Sequence, residues 1–327
     1  MPSAPEDRRL KKLERKYRRE AARKKRARLL RSYLPYAALL LAAAALAGFL
    51  ILRRDSGRRT PPPADDLSIY VLDVGQGDAI LLRSAGHAAL IDAGEYDQGI
   101  RIARQIRALG IRKLDYIINS HPHADHIGGM QTVLREIPAD TVILPEIADA
   151  LLPTTPSFLH ALDAARECGV PVRTAVCGEK LPLGNAEIEL LCTDNAQFED
   201  LNNCSLACAV RYGTFTFFTA GDLEEAGEQA MLQAGLVPQV TVLKVSHHGS
   251  TTSTSEAFLA AADPKEAVIS VGAGNDYGHP AESTLRRLYG AVGESHHIYR
   301  TDLDGNILFT TDGSTCRVQT HCQLDGG

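Results

Sequence analysis

Ser120-His121-Pro122-His123-Ala124-Asp125-His126-Ile127-Gly128-Gly129 brings three histidines and a carboxylate into one short stretch. Just before it, Leu114-Asp115-Tyr116-Ile117-Ile118 is apolar and β-branched, which predicts a buried strand. Just after it, Met130, Val133, Leu134 and Ile137 recur at helical spacing. The polar residues therefore fall on a loop between a strand and a helix, where several side chains can converge on one point. Imidazole nitrogen and carboxylate oxygen suit zinc and its first-row neighbours. A lone histidine is best explained as a satisfied core residue; four ligand-type side chains at this spacing are not.

Outward from this loop, polar residues again sit where apolar strands end. Asp92 follows Ala89-Leu90-Ile91, and either caps a turn before Gly94 or orients the metal loop. Asp222 follows Phe217-Phe218-Thr219-Ala220-Gly221, as a ligand or as the N-cap of a helix from Glu224. His247 and His248 follow Leu243-Lys244-Val245-Ser246. Both cannot serve a core, because neighbours on a strand point opposite ways. Strands are expected at 67–72, 79–83, 88–92, 141–144, 188–192, 207–212, 214–220, 240–245 and 267–271. Helices are expected at 100–109, 158–168, 224–234, 256–262 and 283–289. The tail from Ile298 reads as β with a turn at Asp304-Gly305-Asn306. This alternation predicts a layered α/β domain.

His121-Pro122-His123-Ala124-Asp125-His126 with Gly128-Gly129 resembles the H-x-H-x-D-H signature of the metallo-β-lactamase superfamily. Leu72–Ala79, Leu90–Gly94, Thr219–Asp222 and Lys244–Ser250 follow in that family's order. The strings "DVGQGDA" and "SHHGS" are similar to the C-terminal hydrolase domain of ComEC-type DNA-uptake proteins, and the likeness spans residues 67–322. The resemblance implies an αββα sandwich with one or two divalent ions, zinc or manganese, at the edge of two sheets. His121 and His123 would hold one, Asp125, His126 and His248 the other, and Asp222 would lie between them, leaving His247 to meet substrate. Asp73, Gln76, Asp78 and Asp92 would line the site, with the Gly75–Asp78 turn offering amides to an anion or serving as a plain hairpin turn. Lys244 would pair with a substrate phosphate. His279, in the similar "GHP" element, would protonate a leaving group or bind phosphate, or else pack a loop. Ser250–Ser255 reads equally as a helix cap or a substrate lip.

One departure stands out. A further histidine is usual in the family before the bridging aspartate, but between His126 and Asp222 only His160 occurs, on an expected helix. Leu201-Asn202-Asn203-Cys204-Ser205 stands in its place, with Asn203 as ligand or substrate contact, so the first ion is expected to be the weaker. The resemblance implies metal-assisted hydrolysis of a phosphodiester, with nucleic acid as substrate. The rivals are hydrolysis of another small ester or amide, such as a phosphocholine ester or a β-lactam, and a non-catalytic tethered binding module.

Composition bears on partners. The net charge of −5 divides unevenly: residues 1–32 carry 14 Lys/Arg against 4 Asp/Glu, and the rest 21 against 36, about +10 and −15. A body of −15 excludes clinging to nucleic acid by bulk electrostatics. Tyr33–Leu52 is 20 residues without a charge, about 30 Å of helix, the thickness of a bilayer core. It reads as an uncleaved anchor, the alternative being a cleavable signal peptide. Residues 1–32 then form a basic cytoplasmic tail and 53–66, with Pro61-Pro62-Pro63, an extended linker. The hydrolase domain, 67–322, is expected outside the cell membrane. Seven cysteines show no paired C-x-x-C spacing. Local disulfides Cys204–Cys208 and Cys316–Cys322 are one option, buried thiols the other.

Overall fold

The strand-forming runs between 67 and 92 are apolar on both faces, so they must be covered on both sides. The computed structural model describes residues 66–293 and 297–324. In chain order its strands are β1 (Leu67–Val71), β2 (Ile80–Ser84), β3 (His87–Ile91), β4 (Leu114–Ile118), β5 (Ala139–Leu144), β6 (Val172–Thr174), β7 (Lys180–Leu183) and β8 (Ala186–Leu191). They continue as β9 (Ala207–Tyr212), β10 (Phe215–Thr219), β11 (Val242–Lys244), β12 (Glu266–Ile269), β13 (Ile298–Arg300), β14 (Ile307–Thr311) and β15 (Cys316–Gln319). The helices are α1 (Gly99–Ala108), α2 (Ala124–Ile127), α3 (Met130–Glu136), α4 (Pro156–Glu167), α5 (Glu225–Gln233), α6 (Glu256–Ala262), α7 (Glu282–Val292) and α8 (Thr301–Asp304).

Two mixed sheets form, in the orders β15-β14-β1-β2-β3-β4-β5-β6 and β13-β12-β11-β10-β9-β8-β7. Ile69, Leu82, Ile188, Phe217 and Phe309 interleave between them. On the far side of the first sheet, Tyr70 and Leu90 meet Ile102, Ile106, Val133 and Phe158 from α1, α3 and α4. On the far side of the second, Phe218 and Leu243 meet Met231, Phe258 and Leu288 from α5, α6 and α7. The layers are thus αββα, and each fully buried Leu, Ile or Phe contributes about 1.5–3 kcal/mol of transfer free energy.

What positions the site is strand direction. β3, β4, β5 and β6 run parallel, as do β10, β11, β12 and β13. Parallel neighbours need crossovers, which α1 to α4 and α5 to α7 supply. The loops that follow the carboxyl ends of β3, β4, β10, β11 and β12 carry Asp92, the 119–126 stretch, Asp222, the 246–248 turn and Ser270. This is where open α/β sheets place ligands. Gly129 lets the helical layer approach: a Cβ there would lie 2.1 Å from the Ala93 carbonyl oxygen.

Several expectations need correction. β6 and β7 escape the sequence pattern because they are short, and β7 contains Pro182. The tail is not one hairpin: β13 pairs with β12 in the second sheet, α8 intervenes, and β14 pairs with β1 in the first. The disulfide is Cys177–Cys192, Cα atoms 5.4 Å apart, and neither expected pair forms. Cys204 and Cys208 are buried thiols. Cys316 packs towards the space between the sheets while Cys322 lies in the helix-side core, on the other face of the sheet. The expected anchor, tail and linker lie outside the described residues; among those described, no helix is long and apolar enough to cross a membrane.

Candidate metal centre

Asp92 is the pivot of the metal loop. Its backbone takes a left-handed φ of 57° as β3 ends. Its buried carboxylate accepts hydrogen bonds from Asn119 Nδ2 at 2.9 Å, Ser120 N at 2.8 Å, Ser120 Oγ at 2.6 Å and His126 Nδ1 at 2.9 Å. A carboxylate only accepts, so His126 donates from Nδ1 and turns Nε2 towards Asp222, the nitrogen a cation would take in exchange for its proton. His248 is held the same way, donating from Nδ1 to the Ser270 carbonyl oxygen at 2.9 Å. Its Nε2 then faces Asp125 Oδ2 at 3.2 Å and Asp222 Oδ2 at 3.3 Å. His126 Nε2 lies 3.2 Å from Asp222 Oδ1 and 3.7 Å from Asp125 Oδ2.

Asp125, His126, Asp222 and His248 thus offer two nitrogens and two oxygens, all within 4.8 Å of one another. His126 Nε2 and Asp222 Oδ1 are buried and neither has a hydrogen-bond partner. Orphaned buried polar atoms aimed at a shared point are what a cation site leaves when drawn without its ion. The donor set fits zinc or manganese. Charge agrees: burial opposes ionising these groups, but mutual attraction prevails. The Asp222 and Asp125 carboxyls are held well below their usual range by His126 and His248, and both imidazoles are raised above theirs by Asp222 and Asp125.

A second group, Asp78, Asp92 and His126, is equally close. Its carboxylates already have partners: Asp92 as above, and Asp78 in an ion pair with Lys244, both fully buried. Asp78 also lies 3.5 Å from His248 Nδ1 and 3.9 Å from His126 Nδ1. It supports the ligands from behind. Lys244 is therefore not a phosphate contact: it is sealed against Asp78, with its Nζ 3.5 Å from the Gly221 carbonyl oxygen.

His121 and His123 sit beside this cluster, the His121 ring 4.2 Å from that of His126. Burial, then the neighbouring His126, push the His121 imidazole well below its usual value, so it stays neutral. Its Nε2 and His123 Nδ1 are 3.0 Å apart. Among the described residues no His, Cys, Asp or Glu joins these two in a group of three. Asn203 does not fill the gap: its amide accepts from Gly227 N and donates to Asp200 Oδ2, both at 2.8 Å, tying the 200–205 loop to α5.

The other expected residues spread around the cluster. Asp73 caps Gly75 N at 3.2 Å and Gln76 accepts from Gly272 N at 3.2 Å, so both brace loops. In the Gly75–Asp78 turn two amides are already taken, Gly75 N by Asp73 and Asp78 N by the Asp125 carbonyl oxygen at 3.1 Å. His247 is not on a strand: it and His248 form a turn with φ of 49° and 53°, so adjacency does not send their rings to opposite faces. His247 Nδ1 lies 3.1 Å from Glu224 Oε1 and its Nε2 3.8 Å from Asp222 Oδ2. His279 packs edge-on against His247, centroids 5.6 Å apart. The Ser250–Ser255 loop is bracing: Ser255 caps α6 and Ser253 Oγ donates to the Ser246 carbonyl. Ser120, Ser270 and Glu224 were missed, because a hydroxyl or carboxylate beside a strand end has no signal until its partner is known.

The profile of the metallo-beta-lactamase superfamily matches residues 72–273. ComE operon protein 3 of Bacillus subtilis is 30% identical over 258 residues, 73% of this chain and 32% of its own length. Competence protein ComA of Neisseria gonorrhoeae is 31% identical over 251 residues, 75% of this chain and 32% of its own. The chain thus spans about a third of the curated relatives it matches. Among solved structures, CmlA, a diiron β-hydroxylase from Streptomyces venezuelae, superposes with a TM-score of 0.51 at 16% identity, over 77% of this chain and 55% of that one; it shares the fold. A sandwich of two mixed sheets, a His/Asp cluster where their parallel strands end, and a profile covering most of that domain lead to one statement: this chain belongs to the metallo-β-lactamase superfamily.

Proposed function

We propose that this chain is a metal-dependent hydrolase of phosphodiesters, acting on nucleic acid. The observation that carries the metal is the quartet Asp125, His126, Asp222 and His248, with His126 Nε2 and Asp222 Oδ1 buried and unsatisfied. The likeness to competence proteins over one shared region supports the substrate class. A divalent cation held by these four residues would supply Lewis acidity and would lower the pKa of water towards neutrality.

The chain's own residues do the rest. Asp92 and the Ser270 carbonyl fix both imidazoles with Nε2 forward, so ligation needs no reorganisation. His121 and His123 supply two neutral or part-exposed imidazoles for a second, weaker ion. His247, half-buried and held through Nδ1 by Glu224, turns Nε2 towards Asp222 and stands to pass a proton to the departing oxygen. The uncharged run Tyr33–Leu52 supports tethering to the cell membrane, with the hydrolase domain on its outer side.

Metal analysis of the purified 327-residue chain, followed by chelation and addition of zinc or manganese, tests the reading against bis-p-nitrophenyl phosphate and single- and double-stranded DNA. Restored hydrolysis of the small diester and of DNA is expected. Less than one metal per chain with no hydrolysis would leave a binding module. The acidic body favours a second reading, hydrolysis of a small ester, to which cleavage of the small diester alone would point.

A further inference from the structure

Tyr277 is 71% exposed, although it sits beside the candidate metal centre. One face of its ring stacks on His279, centroids 5.7 Å apart and planes 26° from parallel. His279 in turn packs edge-on against His247, whose Nε2 is 3.8 Å from Asp222. A line of aromatic rings therefore runs from Asp222 to solvent, and Tyr277, at its outer end, is open to a partner.

The loop that presents Tyr277 is built rather than slack. Asn275 Oδ1 accepts from Tyr277 N at 3.2 Å and His279 N at 3.0 Å, while its Nδ2 donates to the carbonyl oxygens of Gly272 at 2.9 Å and His279 at 2.7 Å. Ala281 N donates to the Gly249 carbonyl oxygen at 2.9 Å, joining the loop to the histidine turn. One side chain thus closes the loop on itself and a backbone bond fixes it to the ligands. An exposed aromatic ring on so constrained a support can bind a flat partner with little ordering entropy.

We propose that Tyr277, backed by His279, is a stacking platform for a nucleobase flanking the scissile phosphate, which makes single-stranded nucleic acid the substrate; this rests on the phosphodiesterase reading above. The platform begins two ring contacts from Asp222, so a phosphate at the cluster and a base on Tyr277 belong to the same or adjacent nucleotides. Cations of the surrounding elements are already engaged. Lys244 is sealed against Asp78, Arg287 donates to the Ser253 and Thr254 carbonyl oxygens, and Arg300 grips Asp302. Stacking rather than phosphate pairing must then supply much of the affinity. Every base has a π face, and only an unpaired one can offer it, so the platform selects strandedness and not sequence.

The test measures binding of two labelled, phosphorothioate-linked oligomers of equal length to the manganese-loaded 327-residue chain by fluorescence anisotropy. One is oligothymidylate; the other has the same backbone without bases. Wild type is expected to prefer oligothymidylate by about tenfold, Tyr277→Ala to bind both alike, and Tyr277→Trp to keep the preference. Equal binding by wild type, or a preference that survives in Tyr277→Ala, overturns the platform. Hydrolysis of bis-p-nitrophenyl phosphate, followed alongside, separates the two readings. If the preference fails while the diester is cleaved, the platform falls and the phosphodiesterase stands; if the preference holds without cleavage, the reverse is true.

Discussion

The two histidine pairs of the centre differ in what stands behind them. His126 and His248 each give Nδ1 to a fixed acceptor, Asp92 or the Ser270 carbonyl, and keep Nε2 for a cation. His121 has only the Ser120 hydroxyl behind its Nδ1, at 3.2 Å, and its Nε2 is taken up by His123 Nδ1 at 3.0 Å, with no third ligand-type side chain among the described residues. A buttressed imidazole binds without reorganising, whereas a mutually bonded pair must first separate. One half of the centre is prepared for its ion and the other is not.

The sharpest way to break this contrast is Asp222→Ala, which removes the carboxylate that approaches both His126 and His248 within 3.3 Å and is the more deeply buried of the two that face them. Loss of the tightly held metal and a fall in diester hydrolysis of about a thousandfold or more are expected, read by metal analysis and kinetics. Next in size, Lys244→Met leaves the fully buried Asp78 without its ammonium partner, facing only His248 Nδ1 at 3.5 Å and His126 Nδ1 at 3.9 Å. Urea unfolding should show a loss of about 3–5 kcal/mol, partly recovered by adding Asp78→Asn. Asp92→Ala takes away the support of His126 together with the tie to Asn119 and Ser120 but removes no ligand, so affinity for the first metal should drop about 10–100-fold in a chelator competition. His123→Ala should leave that affinity unchanged and affect only a second equivalent.

The smallest effect is one of pH. In the metal-free chain, burial opposes protonation of His126 and His248, yet Asp222 and its neighbours raise both above the ordinary 6.5, while burial and His126 lower His121. Protonation of the raised pair stabilises the metal-free fold fully below 6.5, and that stabilisation is lost as pH rises through their folded values. NMR titration of the imidazole protons should therefore show His126 and His248 titrating above 6.5 and His121 below it. The reverse order would refute the assignment of which half is prepared.

Much of this was legible beforehand. The 120–129 stretch, the apolar runs at 67–92 and the polar residues closing them follow from periodicity, and the sheets realise them. Lys244 was misread because a three-residue strand covered on both sides looks, in sequence, like one that ends in solvent. Asn203 was misread because its position in the chain resembles a ligand's, whereas its amide is spent on Gly227 and Asp200. The Cys177–Cys192 bridge joins residues brought near only by the pairing of β7 with β8, which spacing cannot reveal. Tyr277 carries no pattern at all; its meaning depends on a loop whose closure by Asn275 is purely three-dimensional.

The turn at His247 and His248 has a consequence for the apo form. Two successive non-glycine residues in left-handed conformation cost about 1–3 kcal/mol each. Hydrogen bonds such as Ser250 N to the His247 carbonyl, at 2.8 Å, offset part of this. Ligation of His248 would act as the clasp that keeps the turn wound. Stripping the ion should release it locally, so that amides 246–250 exchange with deuterium faster after chelation while the interleaved residues between the sheets do not change.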